Sequence, residues 1–404
     1  MTSKHEVFPS ILDNDLYKFT MQYAVLQHYK DAQAVFQFTN RDKDLQLNAA
    51  AVSWLDKQIK DMANLELTVD ERNYIASFDY FDESYADYLQ KFRYRPDEQV
   101  KYKFDPESRE FELEVTGVWH ETILYEVPLL ALISEAYFKF VDRDWNHDGQ
   151  YEKAVEKGVQ LLENGCKFSE FGTRRRRDFK THDIVMHGLK DAAAKAQNAT
   201  GLFSGTSNVY LAKKYDTNAI GTVAHEFFMA ISALEGVEHA NRCTLERWYE
   251  TYKGALGIAL TDTFTTGVFL RDFDHDLAEK YAAVRQDSGD PVEFIQLMVN
   301  HYKSVGVDPK SKFIVFSDAL DVPRAIKLQK AAQEAGIGAS FGIGTSLTND
   351  YTKLSDPSQK STPMNMVIKM KYCNGKRVIK LSDDVLKYSA SDDLVSELKQ
   401  KLGI

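Results

Sequence analysis

From about residue 150 onward, helical segments of about 12–18 residues alternate with short β-prone runs. The runs are Lys167–Phe171, Gly201–Ser204, Ala219–Val223, Gly257–Leu260, Ala283–Arg285, Phe313–Phe316 and Ala339–Gly342. Intervening helices include Asp183–Gln197, Val292–Ser304 and Val322–Gly336. Repeated β-α units predict a parallel sheet, and about seven in roughly 200 residues predict an irregular (β/α) barrel. The first third has another texture. A helix runs from about Asp13 to Tyr29, opened by acidic residues that read as an N-cap, and Ala34–Asn40 alternates like a strand. Residues 53–95 read as helical, and Lys101–Phe104, Phe111–Val115 and Val118–His120 as an antiparallel meander. Pro128 begins an apolar helix that runs through Phe140. Near the end, Asn365–Lys371 and Arg377–Leu381 flank Cys373-Asn374-Gly375, an Asn-Gly turn signal for a hairpin. The predicted fold class is therefore α/β: an irregular (β/α) barrel over residues 146–359, with a second α+β domain. That domain is formed by the N-terminal third, residues 1–145, and completed by the C-terminal hairpin within residues 360–404.

The composition is that of an ordinary soluble globular protein, with 44% apolar and 27% charged residues in 404. The net charge of −10 argues against general nucleic-acid binding, which needs a basic face. Cys166, Cys243 and Cys373 are too few and too scattered for a disulfide framework or a zinc site. The opening residues lack a basic-then-apolar signal design, and no run reaches the roughly 18 apolar residues of a membrane span. A cytoplasmic protein without membrane partners is expected.

The candidate chemistry centres on Asn218–Gly236. β-prone Ala219, Ile220, Thr222 and Val223 lead to His225 and Glu226, after which Phe227, Phe228, Ile231 and Leu234 recur at helical spacing. His225 thus sits where a strand hands over to a helix. Backbone N–H groups point outward there, and the helix dipole disfavours a proton on imidazole. A neutral imidazole in that place is a candidate nucleophile, acid/base or orienting group. Taken alone, a buried structural histidine is the commoner case.

Polar residues follow almost every predicted strand. They are Gly172, Thr173 and the run Arg174–Arg177; Gly205, Thr206, Ser207 and Asn208; Thr222, His225 and Glu226; and Thr261 and Asp262. Arg285, Asp287 and Ser288, then Ser317 and Asp318, and finally Gly342, Gly344, Thr345 and Ser346 complete the set. In a barrel these positions converge on the C-terminal rim, where active sites lie. Singly, Asp287 or Asp318 could cap the next helix, and four arginines usually mean a solvated face. Together the positions point to an enzyme handling phosphates, with arginines for the anion and Asp287 and Asp318 for magnesium or ribose hydroxyls. A metal-dependent hydrolase would want more histidines at strand ends. His182, His187, His239, His275 and His301 fall in helices or loops and read as surface residues.

NDLYKFTM, EFGTRRRR, GTSNVYLA, GTVAHEFF, LTDTF, RQDSGD, FSDALD and FGIGTSL follow one another through nearly the whole chain. In that ordered set the chain resembles the nicotinate phosphoribosyltransferases. The resemblance implies a type II phosphoribosyltransferase fold and the conversion of nicotinate and phosphoribosyl pyrophosphate to nicotinate mononucleotide and pyrophosphate, coupled to ATP hydrolysis. It implies that ATP phosphorylates His225, for which Asp262 is a candidate orienting partner, and that Asp287 and Asp318 serve catalysis and Mg2+. It places Phe171 and Tyr17 on the two faces of the pyridine ring, with Arg285, Thr222 and Ser207 also at nicotinate. Arg174, Ser317, Gly344 and Thr345 fall to the phosphoribosyl pyrophosphate. In relatives the tyrosine comes from a second subunit, which implies a homodimer with shared active sites. The runner-up is a nicotinamide phosphoribosyltransferase. That family carries an aspartate where this chain has Ser207, and a carboxylate there would repel nicotinate by several kcal/mol in a low-dielectric pocket. A third reading is a non-catalytic barrel that binds a pyridine nucleotide, which would not need His225, Arg285 and the aspartates together.

Overall fold

The computed structural model describes residue 5, residues 7–384 and residues 392–404. Residues 1–4 and 6 of the opening stretch, and 385–391 of the segment assigned to the second domain, lie outside the described residues. The first helix is Leu16–His28. Asp13, Asn14 and Asp15 precede it, are almost fully buried, and do not form the acidic N-cap expected: Asp15 makes no side-chain capping bond. Strand β1 (Gln33–Asn40) follows, then helices Ala49–Asp61, Val69–Ala76 and Glu83–Lys91. Strands β2 (Val100–Phe104) and β3 (Phe111–Val118) pair antiparallel, and β3 also pairs with β1. The predicted strand Val118–His120 is not separate. β3 ends at Val118, and a helical turn begins at the fully buried Trp119. Helix Glu126–Phe140 is buried along most of its length.

Six parallel strands then form one sheet: β4 (Lys167–Glu170), β5 (Leu202–Thr206), β6 (Ile258–Leu260), β7 (Ala283–Gln286), β8 (Phe313–Phe316) and β9 (Gly338–Ile343). Their order is β5-β4-β9-β8-β7-β6, with helices such as Phe179–Lys195, Pro291–Ser304 and Val322–Ala335 between them. The seventh predicted strand, Ala219–Val223, makes no ladder. It touches β5 through a single bridge, Thr206 to Ala219, and reaches the β6 side through Thr222 Oγ1, which donates to Leu256 O (2.9 Å) and Ile258 O (3.3 Å). The start of the chain is wedged alongside. Leu16 N–H donates to Ser207 O at 2.7 Å, Asp15 bridges Asn208, and a Cβ on Gly221 would lie 2.7 Å from Tyr17 N. Backbone from the N-terminus thus packs along this seam, and among the described residues no seventh ladder joins β5 to β6.

After the short hairpin of β10 (Tyr351–Thr352) and β11 (Lys360–Ser361), strands β12 (Met366–Cys373) and β13 (Lys376–Arg377) return to the first sheet. Their order there is β13-β12-β1-β3-β2, so both ends of the chain share one antiparallel sheet. Asn374 (φ 46°) and Gly375 (φ 74°) are both left-handed, as a two-residue hairpin turn of this type requires. β13 is shorter than the predicted run to Leu381. Val378 N–H still donates to Lys371 O of β12 (3.0 Å); past it the chain leaves the sheet, and Leu381 N–H donates to Thr263 O beside β6 at 2.9 Å. Among the described residues no helix is long and apolar enough to cross a membrane.

Candidate active site

One cavity of about 1060 Å³ runs along the parallel strands, from Lys167, Leu202, Ile258 and Phe313 at their starts to the loops past their C-terminal ends. Ser169, Ser204, Val315 and Ser340 line its inner part. Barrel interiors are ordinarily filled by bulky branched side chains; here three of these four positions are serines, which leaves the space open. Around the mouth stand Phe171 after β4, Thr222 and His225, Arg285 and Asp287 at β7, Ser317 and Asp318 after β8, and Gly344 and Thr345 after β9. Asp15 and Tyr17 enter from the N-terminal segment, and Lys369 and Lys380 from the C-terminal one.

His225 begins the helix His225–Leu234, with Ala224 extended before it. Phe227, Phe228 and Ile231 are fully buried, and burial of such side chains contributes about 1.5–3 kcal/mol each. That anchored face holds the imidazole at the cavity wall, where its side chain is 17% exposed. Its Nε2 lies 2.7 Å from Asp262 Oδ1 and 3.6 Å from Asp287 Oδ2. The other oxygen of Asp262 accepts from Ser288 Oγ (2.6 Å) and lies 3.0 Å from Lys380 Nζ, which is 3.9 Å from Asp287. Burial and then Lys380 hold the His225 pKa below its ordinary value, against the pull of Asp262 and Asp287. Burial opposes charge on Asp262, but His225 and Lys380 outweigh it and keep its carboxyl well below the usual range. His225, Asp262 and Asp287 bring ligand atoms within 4.8 Å of one another, as a metal site would. The Lys380 ammonium already sits against both carboxylates as a fixed cation.

Next to this group, Arg285 Nε donates to Ser317 Oγ (2.8 Å) and Arg285 Nη2 to Asp287 Oδ1 (3.1 Å). Ser317 Oγ also lies 2.6 Å from that same oxygen of Asp287. Burial works against charge on Asp287, and Arg285, His225 and Lys380 together depress its pKa. Fully buried Lys18 stands behind Glu126 and Glu226, which line the cavity, and pairs with Glu126 (2.5 Å) and with Glu226, whose other oxygen accepts from Trp119 Nε1 at 2.6 Å. Half-exposed Arg174 meets Glu126 at 3.3 Å. Burial lifts the Asp15 carboxyl to about 6, although Thr173, Ser207 and Arg174 pull the other way.

Family models for nicotinate phosphoribosyltransferase match the chain in two parts, residues 12–134 to its N-terminal domain and residues 166–404 to the family itself. The chain belongs to the nicotinate phosphoribosyltransferase family. The nicotinate phosphoribosyltransferase of Saccharomyces cerevisiae is 43% identical over 410 residues, covering 98% of this chain and 95% of the relative. That of Methanosarcina acetivorans is 44% identical over 401 residues, covering 95% of each. The crystal structure of the nicotinate phosphoribosyltransferase from Porphyromonas gingivalis matches with a TM-score of 0.91 at 36% identity, covering 98% of this chain and 100% of that one.

Against the family pattern, Tyr17, Phe171, Arg174, Thr222, His225, Arg285, Asp287, Ser317, Asp318, Gly344 and Thr345 all line the one cavity. Ser207 does not. It is fully buried, and its Oγ donates at 2.7 Å to Asp15, which does line the cavity. The absence of an aspartate at position 207 therefore does not make an aspartate-free pocket. Thr222 is placed as expected, but its single hydroxyl hydrogen is directed at backbone carbonyls and is not left for a carboxylate. Tyr17 reaches the cavity within its own chain. The arginine run is not a solvated face: Arg176 and Arg177 are fully buried. Arg176 makes a bidentate pair with Asp13 (2.7 Å twice), and Arg177 stacks on Phe138 and Tyr351. His182 is not a surface residue but fully buried against Glu170 at 2.7 Å. His187, His239 and His275 are exposed and His301 half-buried. Lys380, Asp15 and the Lys18 pair were missed. Lys18 and Asp15 stand in the NDLYKFTM motif already singled out, whereas Lys380 follows an ordinary hairpin with no local signal.

Proposed function

We propose that the chain transfers the phosphoribosyl group of phosphoribosyl pyrophosphate to nicotinate, forming nicotinate mononucleotide and pyrophosphate, with coupling to ATP. What supports this reading most is that His225, Asp262, Lys380 and Asp287 form one hydrogen-bonded and ion-paired group at the cavity that also holds Phe171, Tyr17 and Arg285. A neutral imidazole attacks the γ-phosphorus of ATP; the new N–P bond forms as the bridging P–O bond breaks and ADP leaves. Asp262 keeps the ring oriented through Nε2 and offsets the positive charge that grows on it. Lys380, which lines the same cavity, would supply positive charge toward the transferred phosphoryl group. In the sugar step the pyridine nitrogen bonds to C1 of the ribose as pyrophosphate departs, and the protein's share is positioning and charge. Phe171 and Tyr17 hold the ring, Arg285 meets the nicotinate carboxylate, and Arg174, Ser317, Gly344 and Thr345 hold phosphates. Preference for the acid over the amide rests on Arg285 and on family membership.

Asp287 and Asp318 line the cavity and offer carboxylate oxygens of the kind magnesium takes, so in this reading they would hold a partly hydrated ion carried on a pyrophosphate. It would neutralise the leaving group. In this reading the protein acts as a homodimer with shared active sites, Tyr17 lying at the cavity where it can serve either subunit. A cytoplasmic location accords with this chemistry. Incubation with γ-labelled ATP should put acid-labile label on His225. His225→Ala should lose both label and ATP hydrolysis while keeping slow ATP-independent turnover. Label retained in that variant would sink the assignment.

A further inference from the structure

Glu170, the last residue of β4, is fully buried and does not line the cavity, yet three donors converge on its carboxylate. One oxygen accepts from the Gly172 N–H. The other accepts from Thr206 Oγ1 (2.6 Å) and from His182 Nε2 (2.7 Å), on helix Phe179–Lys195. Each donor belongs to a different support of the cavity's base-binding end. Gly172 follows Phe171, whose own N–H donates to Ile343 O (2.8 Å) and whose carbonyl would lie 2.9 Å from a Cβ on Gly344. Thr206 donates its N–H to Asn218 O (3.1 Å) and accepts from Ile220 N–H (2.8 Å), which carries it into the wall at Gly221 and Thr222. Ser207 N–H donates to the Glu170 carbonyl at 2.8 Å, and the Ser207 side chain holds Asp15.

His182 Nδ1 is buried and has no partner among the described residues, so the ring's polar anchoring runs through Nε2 and Glu170. Burial raises the proton affinity of Glu170, but His182, Thr206 and Gly172 outweigh it and favour the carboxylate. A well-packed apolar residue could fill this space without desolvating a charge. What a carboxylate adds is direction: it ties the ends of the neighbouring strands β4 and β5 and the helix Phe179–Lys195 to one atom group.

We infer that Glu170 is a positioning residue for the pyridine base, setting the Phe171–Gly172 turn and the Ile220–Thr222 wall at a fixed separation, with His182 and Thr206 as its anchors. This rests on the reading that Phe171 stacks on nicotinate. The side chain itself touches no substrate, so its effect should fall on base binding and spare the phosphoribosyl end.

The test compares KM for nicotinate and for phosphoribosyl pyrophosphate in the full-length protein. Glu170→Gln, which keeps the shape but turns an amide N–H2 toward one of the donors, should raise nicotinate KM tenfold or more. kcat and the phosphoribosyl pyrophosphate KM should stay within about threefold. His182→Leu should raise nicotinate KM in the same direction. His182→Gln, which can still donate to Glu170, should restore it to within about twofold. A general structural defect would move both KM values together and would not respond to this rescue. Equal rises for both substrates, an unchanged nicotinate KM in folded Glu170→Gln, or failure of both Glu170→Gln and His182→Leu to fold would each overturn the inference. Phe171→Leu, run alongside, separates the two layers. If it raises nicotinate KM and Glu170→Gln does not, stacking stands and the positioning role falls; if Phe171→Leu has no effect, the stacking reading itself is wrong.

Discussion

Lys380→Met replaces a buried ammonium by an apolar chain of similar length inside the His225 group. Lys380 Nζ and the imidazole lie on opposite oxygens of the Asp262 carboxylate, at 3.0 and 2.7 Å. Their separation across that group is therefore under about 8 Å, and a unit charge at that distance is worth about 2 kcal/mol at an effective dielectric of 20. Lys380 depresses the proton affinity of His225, while Asp262 and Asp287 raise it. Removing the ammonium deletes that opposing charge while Arg285 stays on Asp287, so the imidazole should bind a proton roughly thirtyfold more tightly. The sign is fixed by the direction of the native shift. With the His225 pKa lowered, the wild-type imidazole is neutral and nucleophilic down to below its ordinary value, and the variant should lose that form at higher pH. The assay is the initial rate of phosphoryl transfer from labelled ATP to His225 between pH 5 and 8. Its acid limb should move toward neutrality, and the rate at pH 8 should fall less than the rate at pH 6. Asp262 is 1% exposed, so breaking this ion pair should also cost about 3–5 kcal/mol of stability. An acid limb that stays in place, or moves to lower pH in a folded variant, would refute the proposed electrostatic role.

Asp15→Asn should stabilise the fold above about pH 6. Burial raises that carboxyl from 3.8 to about 6, so its ionisation costs the folded state stability, a cost relieved as pH falls from above 6 toward 3.8. The gain, of order 2–3 kcal/mol at pH 7.5, should vanish near pH 4 in urea unfolding; a gain of equal size at both would contradict the charge argument. Arg176→Leu leaves Asp13 buried beside Asn208 without its guanidinium and should cost about 3–5 kcal/mol in thermal or urea unfolding. A loss under 1 kcal/mol would show that pair to be dispensable. Mixing an inactive Tyr17 variant with an inactive His225 variant should recover part of the activity, as a homodimer that exchanges Tyr17 between its sites requires; no recovery would mean that each cavity uses the Tyr17 of its own chain, which lines it.

Much of the site was readable because barrel chemistry collects at strand ends. Asp287, Ser317, Asp318 and Thr345 each follow a β-prone run and Arg285 ends one, and parallel strands carry them to one mouth, which His225 joins from a run that makes no ladder. The misreadings share another cause. Arg176 and Arg177 look like solvent-facing charge until Asp13 and an aromatic box are brought to them. His182 looks like a helix-surface histidine until Glu170 is placed against it. Ala219–Val223 has the composition of a seventh strand, and the N-terminal segment leaves it with a single bridge.

Local pattern thus determined the elements, the parallel order of chemistry along the chain and the return of the final hairpin to the first sheet. These depend on apolar spacing, turn residues and the direction of parallel strands, all properties of neighbours in sequence. Tertiary structure alone decided which charges are paired. Lys18 meets Glu226 across 208 positions, Asp15 rather than Ser207 faces the cavity, and Lys380 is delivered to Asp262 by a segment that has left its sheet. The energy of a buried charge is set by what stands within a few ångströms of it, and no periodicity along the chain encodes that distance.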